Sequence, residues 1–280
     1  MTADVPAACV IGWPVQHSRS PLIHNYWLRQ YRIAGEYRRE PVPREEFAAF
    51  VGALAARGYV GANVTVPHKE AALRLSEPDE RARAVGAANT LWRDGDVLRS
   101  TNTDVEGFLR NLDASAPHWD RDAGTAVVLG AGGAARAVIY ALLARGIGRI
   151  VVANRTQGRA EALREAFGKR VSVAHWDKVS ADLAAATLLV NATTLGMHGG
   201  PALTIDLSEL KDRAVVADLV YVPVMTPLLQ AAKARRLRTA DGLGMLLHQA
   251  VRGFALWFGR EPEVTAELRA LVEADLTSAT

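Results

Sequence analysis

The sequence predicts an α/β protein built as two successive α/β domains, and three observations carry that prediction. Short apolar runs of strand character alternate with amphipathic helical patterns along the whole chain. A polar, irregular stretch at residues 115–124 interrupts the alternation, and a fresh strand and helix series begins after it. At 280 residues the chain is long enough for one large domain or two of moderate size, each with its own core. Two domains with a cleft between them is the preferred architecture.

In the first series, residues 7–11, 36–42 and 58–64 read as strands, with helices over 21–33 and 44–56 between them. Pro21 suits the first position of a helix and Ser20 its N-cap. Residues 91–93 and 97–99 flank Asp94-Gly95-Asp96 and predict a β-hairpin. A helix then starts near Asp104 and runs toward Asp113. In the second series, residues 125–129, 149–153, 171–174, 188–190 and 214–218 read as strands with helices interspersed. The last patterns, 243–258 and 262–275, are helical and suited to packing back on the first domain.

The bulk numbers narrow the class of function. Hydrophobic content of 49% with 22% charged residues is ordinary for a soluble globular protein. Net charge is +3, from 33 basic and 30 acidic residues without a long run of one sign. That is weak evidence for nucleic acid and leaves acidic small molecules open. No nucleic-acid partner is therefore expected. No apolar stretch approaches the ~20 residues that span a bilayer, and Met1 to Pro6 lack the pattern of a secretory signal. The single cysteine, Cys9, reads as a buried strand residue in a reducing compartment, and the seven histidines form no zinc-like cluster. The expectation is a cytoplasmic protein with no metal and no membrane partner; a homodimer is left open.

The most informative segment is Asn63-Val64-Thr65-Val66-Pro67-His68-Lys69-Glu70. An alternating apolar run ends at Pro67 and a helical pattern follows, which puts Lys69 in the first helical turn. The exposed N–H groups there disfavour a cation, so the position marks a candidate acid/base. Taken alone, the same pattern also fits a surface lysine at the head of an ordinary helix.

Gly130-Ala131-Gly132-Gly133-Ala134-Ala135 follows the strand at 125–129 and opens a helix over 134–145. It fits G-x-G-x-x-A, a variant of the dinucleotide fingerprint, in which Gly130 makes the tight turn, Gly132 admits a pyrophosphate and Ala135 allows close helix packing. At the end of the next strand an enzyme for NAD usually carries Asp or Glu. This chain has Asn154-Arg155-Thr156 with Arg159 one turn on, an anion site suited to the 2′-phosphate of NADP. Two solvated arginines on an amphipathic helix fit the spacing as well, but their place after the second strand favours NADP.

Around His17-Ser18-Arg19-Ser20-Pro21, an extended backbone would put both serine hydroxyls on one face beside a helix N-terminus, a fit for a carboxylate. A plain N-cap with one idle serine fits equally. Asp104 in Thr101-Asn102-Thr103-Asp104 is either a helix cap or a carboxylate that orients Lys69. Tyr221 and Gln249 lie near predicted element ends.

In order, Gly12 to Pro21, Asn63 to Lys69, Gly86-Ala87-Ala88-Asn89-Thr90 and Asn102-Thr103-Asp104 are followed by the Gly130 loop, Asn154-Arg155-Thr156, Asn191-Ala192-Thr193, Asp218 to Tyr221 and Gly242 to Gln249. This series resembles the shikimate dehydrogenase family along nearly the whole chain. Ser100-Thr101 before Asn102, where the family often has glycine, and Ala88 in place of a common valine are mild departures. The resemblance implies a substrate-binding catalytic domain over 1–104, an NADP-binding Rossmann-type domain over 105–241, and a C-terminal helical segment over 242–280 that returns to the first domain. It implies NADPH-dependent, reversible reduction of 3-dehydroshikimate to shikimate in aromatic amino-acid biosynthesis. Lys69 and Asp104 would be the acid/base pair; Ser18 and Ser20 would hold the carboxylate, and Asn63, Thr65, Asn89, Asp104, Tyr221 and Gln249 the ring and hydroxyls. The cofactor would meet Gly130, Ala131, Gly132, Gly133, Ala134, Asn154, Arg155, Thr156, Arg159, Thr193, Gly242 and Met245. Alternatives are quinate or aminoshikimate as substrate, or a regulator that kept NADP binding and lost catalysis.

Overall fold

A computed structural model describes residues 5–121 and 124–278. Met1 to Asp4, which carry part of the signal-peptide expectation, and Asp122 and Ala123 of the central loop lie outside the described residues. The chain divides into two compact units, Met1–Thr103 with Gln249–Thr280, and Asp104–His248. The first begins with β1 (Ala7–Gly12), α1 (Ser20–Gln30), β2 (Glu36–Pro41), α2 (Phe47–Gly52), β3 (Tyr59–Val64), α3 (Lys69–Arg74), β4 (Glu77–Pro78), α4 (Glu80–Val85), β5 (Thr90–Asp94) and β6 (Val97–Thr101). The second runs α5 (Asp104–Ser115), β7 (Thr125–Leu129), α6 (Gly133–Ala144), β8 (Arg149–Ala153), α7 (Gln157–Phe167), β9 (Val171–Ala174), α8 (Ser180–Leu183), β10 (Ala186–Asn191), β11 (Val215–Asp218), α9 (Pro227–Ala234) and β12 (Arg238–Ala240). Helix α10 (Gly242–Phe258) starts in the second unit and ends in the first, which α11 (Ala266–Ser278) completes.

The sheet of the first unit has the order β2-β1-β3-β5-β6-β4. β1 pairs parallel to β2 and β3, whereas β5 runs antiparallel to both β3 and β6. The hairpin is longer than its sequence signal: pairing extends to Asp94 opposite Val97, leaving Gly95 at a positive φ of 61° and Asp96 as the turn. Two predicted helices are shorter than expected. The first stops at Gln30 because Arg32 takes a positive φ of 54°, and the second keeps helical geometry only over Phe47–Gly52. Gly61 on β3 has a packing reason to be glycine. A Cβ there would lie 2.1 Å from Trp257 Nε1, and that indole donates to the Leu91 carbonyl at 2.8 Å. Trp27 likewise donates to the Glu263 carbonyl at 2.9 Å, so the C-terminal residues are woven into this unit by buried aromatics as well as by apolar burial.

The sheet of the second unit is parallel throughout, in the order β12-β11-β10-β7-β8-β9. Counted from β7 this is the doubly wound order whose direction reverses between β7 and β10. Its inner strands are nearly continuous apolar runs, buried on both faces as such sheets require. The stretch after α5 is less irregular than its composition suggests, since Trp119 is buried and donates to Asp113 at 2.9 Å. Among the described residues no helix is long and apolar enough to cross a membrane, and no group of histidine, cysteine and carboxylate side chains could hold a metal ion.

Candidate active site

In the first unit the predicted residues converge at the C-terminal ends of β1 and β3 and the start of β5. Ser20 is the first residue of α1; the cap is Arg19, which makes no side-chain capping bond. The expectation that Ser20 is an N-cap is therefore corrected, because its hydroxyl is turned to Ser18, 3.2 Å away, instead of to the helix N–H groups. Arg19 is helical at φ −91° and ψ 0°, so the two serines are not on an extended strand face. They meet nonetheless through a tight turn in which Ser20 N–H donates to Ser18 Oγ at 3.3 Å. Arg39 steadies that turn, donating twice to the Ser18 carbonyl at 3.1 and 2.7 Å, and Arg19 Nε lies 2.5 Å from Asp275 on α11.

Lys69 opens α3, as its pattern predicts, but that helix has only six residues, so the dipole argument for it carries less weight than a long helix would give. What fixes its place is packing. His68, directly before it, is buried, stacks on Phe47 at 4.3 Å and bonds the Val42 carbonyl through Nε2 at 2.7 Å. The Lys69 carbonyl in turn accepts from Ala88 N–H at 3.0 Å, next to Asn89. Thr65 packs its methyl where a Cβ of Gly12 would be, 2.5 Å away, which explains the glycine at the end of β1.

Asn63 and Asn89 sit in a buried polar network. Asn63 Nδ2 donates to the Asn89 carbonyl at 3.3 Å and to Thr90 Oγ1 at 3.2 Å. Asn89 Oδ1 accepts from Thr103 N–H at 2.8 Å, and Thr103 Oγ1 reaches Gln249 Oε1 at 3.4 Å. Asn102, also buried, donates to the Ala87 carbonyl at 2.9 Å. Thr90 and Thr103 lie inside motifs quoted from the sequence but carry no assigned role there, and Tyr37, which donates to Asn63 at 2.6 Å, has no sequence signal.

In the second unit, Asp104 is the first residue of α5 and is 8% exposed. Gly130 turns at φ 107°, and a Cβ there would sit 2.9 Å from the Ala192 carbonyl, so no other residue fits between β7 and the loop after β10. A Cβ at Gly132 or Gly133 would meet nothing within 4 Å, which leaves open space before the N-terminus of α6. Ala131 and Ala134 flank that turn. Thr193 donates to Asn191 Oδ1 at 2.7 Å, and Asn191 donates to Asp218 at 2.9 Å. Asp218 also accepts from Thr226 at 2.6 Å, and burial nevertheless pushes its carboxyl above the ordinary range. This knot fixes the two loops on which Thr193 and Tyr221 sit.

After β8, Asn154 Nδ2 donates to the Thr156 carbonyl at 2.8 Å, and Thr156 caps α7 without using its hydroxyl. Arg155 and Arg159 are exposed, and neither guanidinium has a partner among the described residues. Gly242 has a structural reason beyond any ligand: a Cβ would lie 2.4 Å from the Leu219 carbonyl. Met245 is buried on the following turn of α10.

A parallel sheet with this order, a glycine turn at its reversal point and two unpaired arginines beyond the next strand define a dinucleotide-binding α/β protein whose donor set fits a phosphorylated ribose. Three family models match the chain: the shikimate dehydrogenase substrate binding domain over residues 10–91, shikimate / quinate 5-dehydrogenase over 115–197, and the shikimate 5′-dehydrogenase C-terminal domain over 242–271. The chain is 68% identical over 276 residues to a shikimate dehydrogenase (NADP(+)) of Rhodopseudomonas palustris, covering 99% of each chain. Among solved structures it resembles quinate dehydrogenase of Corynebacterium glutamicum in complex with NAD, with a TM-score of 0.88, 34% identity and coverage of 96% and 99% of the two chains. It also resembles shikimate 5-dehydrogenase of Thermus thermophilus in complex with NADP(H) and shikimate, with a TM-score of 0.84, 35% identity and coverage of 98% and 99%. The chain belongs to the shikimate dehydrogenase family.

Proposed function

We propose that this chain interconverts 3-dehydroshikimate and shikimate with NADP in aromatic amino-acid biosynthesis. The likeness of 68% along 99% of both chains to an NADP-dependent shikimate dehydrogenase is the observation that carries the reading. The unpaired Arg155 and Arg159 support the choice of NADP, since guanidinium bonds to a phosphate are charge-assisted. The nicotinamide cofactor supplies the hydride when bound. In this reading the glycine turn holds its pyrophosphate, Ala131, Ala134, Thr193, Gly242 and Met245 line it, and Asn154, Arg155, Thr156 and Arg159 take the adenosine phosphate.

Ser18 and Ser20 hold the substrate carboxylate, and Asn63, Thr65, Asn89, Tyr221 and Gln249 orient the ring. Hydride arriving at the ketone carbon leaves negative charge on its oxygen, so a proton donor there lowers the barrier. Lys69 gives that proton from Nζ, and Asp104 works with it as the second member of the pair. The reading needs no nucleic-acid or membrane partner, and places the chain in the cytoplasm, where its free, buried Cys9 stays reduced.

Steady-state rates with shikimate, quinate and aminoshikimate, each with NADP and NAD, test it. The highest kcat/KM is expected for shikimate with NADP. A preference for quinate with NAD would move the chain to the kind of enzyme its Corynebacterium neighbour represents. Inactivity with every pair would favour a regulator that binds the nucleotide.

A further inference from the structure

We propose that Tyr37 is a positioning residue of the substrate site: its buried hydroxyl holds the Asn63 carboxamide in the orientation in which that amide meets the substrate. The inference rests on the reading of Asn63 as a substrate-binding residue.

Tyr37 is on β2 and Asn63 on β3, the two strands that flank β1. Tyr37 pairs with Ala8 and Asn63 with Val10, so both side chains stand on one face of the sheet. The phenol reaches diagonally across β1, over the small Ala8, and donates to Asn63 Oδ1 at 2.6 Å. On its other side the amide donates to the Asn89 carbonyl and Thr90 Oγ1. A carboxamide turned over would set its oxygen against that carbonyl, so the network admits one orientation. Oδ1 keeps a second lone pair, the acceptor that a substrate hydroxyl would meet.

Tyr37 is itself held firmly, which a positioning residue requires. Its backbone N–H donates to Asn25 Oδ1 at 3.0 Å and its carbonyl accepts from Asn25 Nδ2 at 2.9 Å. Its ring stacks on His24 with centroids 4.1 Å apart and planes 8° from parallel, and Trp257 packs beside both rings, 5.8 Å from Tyr37 and 5.4 Å from His24. Residues 24 and 25 belong to α1, the helix that begins at Ser20. Tyr37 thus links the helix of the serine pair to the amide on β3. Burial keeps the phenol protonated, with its pKa raised well above the ordinary value, so it serves as a donor.

A double-mutant cycle on the full chain tests this, with Tyr37→Phe and Asn63→Ala read by KM for shikimate, KM for NADP and kcat. Tyr37→Phe keeps the ring stack and leaves a buried acceptor unpaired. It is expected to raise the shikimate KM about tenfold with the NADP KM unchanged. In the Asn63→Ala background the same replacement is expected to change the shikimate KM by less than about twofold, because Tyr37 acts through that amide. Equal increases in both backgrounds would mean general packing damage and overturn the proposal. An unchanged KM in Tyr37→Phe also overturns it, alone if Asn63→Ala still raises KM, and together with the site reading if Asn63→Ala is silent too. Should Tyr37→Phe not fold by itself, the double variant, which has no orphaned oxygen, is compared with Asn63→Ala. Equal KM values support the proposal and a further loss overturns it.

Discussion

In the first unit the candidate binding groups are buried side chains bonded to one another: Asn63 is 5% and Asn89 3% exposed, and both are held by Tyr37, Thr90 and Thr103. In the second they are exposed guanidiniums that have no partner among the described residues, and a glycine turn facing open space. The contrast separates two kinds of recognition. Groups already fixed by one another lose little freedom on binding and punish a misplaced hydroxyl, because the rejected ligand leaves buried polar atoms unpaired. Exposed guanidiniums and backbone N–H groups read charge, which suits a phosphate and tolerates variation around it. Substitutions at the buried amides should therefore disturb the substrate and spare the cofactor, and substitutions at the exposed arginines the reverse.

The largest expected effect is at Lys69. A proton donor at the developing alkoxide contributes ~10²–10⁴ in rate, so Lys69→Ala should lower kcat by at least the smaller factor while NADP binding and Tm stay as they were. Asp104→Asn keeps the shape and removes the charge, and should also slow turnover. Under the proposed pairing, the double variant should lose less than the two singles combined. A Lys69→Ala enzyme with near wild-type kcat would return Lys69 to an ordinary helix-opening residue and take the chemistry away from the first unit.

Next in size is the serine pair. Each hydrogen bond to a charged group contributes about 1.5–3 kcal/mol, so Ser18→Ala with Ser20→Ala should raise the substrate KM by about two orders of magnitude and leave the NADP KM alone. Because Ser20 makes no capping bond, little loss of Tm should accompany its replacement. A methyl ester of the substrate that served as well as the free acid would remove the carboxylate role. In the second unit, Arg155→Asp should weaken NADP binding by about ten- to a hundredfold with NAD unchanged or improved. Equal efficiency of the wild type with both cofactors would reject the phosphate assignment and blur the contrast between the units.

The same contrast explains what could be read from the chain. A site made of backbone needs contiguous residues, so the Gly130 turn announces itself locally, and β7 occupies the residues the pattern predicts. Strand cores were legible for the same reason, as apolar runs. A buried polar network is assembled from distant segments: Tyr37 meets Asn63 across 26 positions, and Thr103 meets Gln249 across 146. No local period records such a partnership, so the family pattern alone marks the roles of Asn63 and Gln249, and nothing in the sequence marks Tyr37 or His24. Ser20 shows a subtler limit. Its neighbour Pro21 correctly marks a helix start, but only tertiary contacts decide that the helix begins one residue earlier and that the hydroxyl faces Ser18.

The smallest effect concerns stability, and it also distinguishes the units. His24 is wholly buried against Trp27, Tyr37, Phe254 and Trp257, and neither ring nitrogen has a partner among the described residues. Burial lowers its pKa from 6.5 to about 3, outweighing the opposing influence of Asn63. Between those values the unfolded chain binds a proton that the folded chain does not, so stability falls as the pH is lowered through that window. One such proton corresponds to about 1.4 kcal/mol per pH unit. Asp218 in the second unit has the opposite sign: burial raises its carboxyl, so just above the ordinary carboxylate range the folded state holds the extra proton and acid favours it. Burial lowers the pKa of His68 and His248 as well, so the wild-type slope is not His24's alone. Urea unfolding at pH 6.5, 5.5 and 4.5 of the wild type and of His24→Phe, which keeps an aromatic ring on Tyr37, isolates it. The variant should lose about 1.4 kcal/mol less per pH unit than the wild type as the solution is acidified. Parallel slopes would mean that His24 is protonated in the folded state, and that the first unit's interior is wetter than its packing implies.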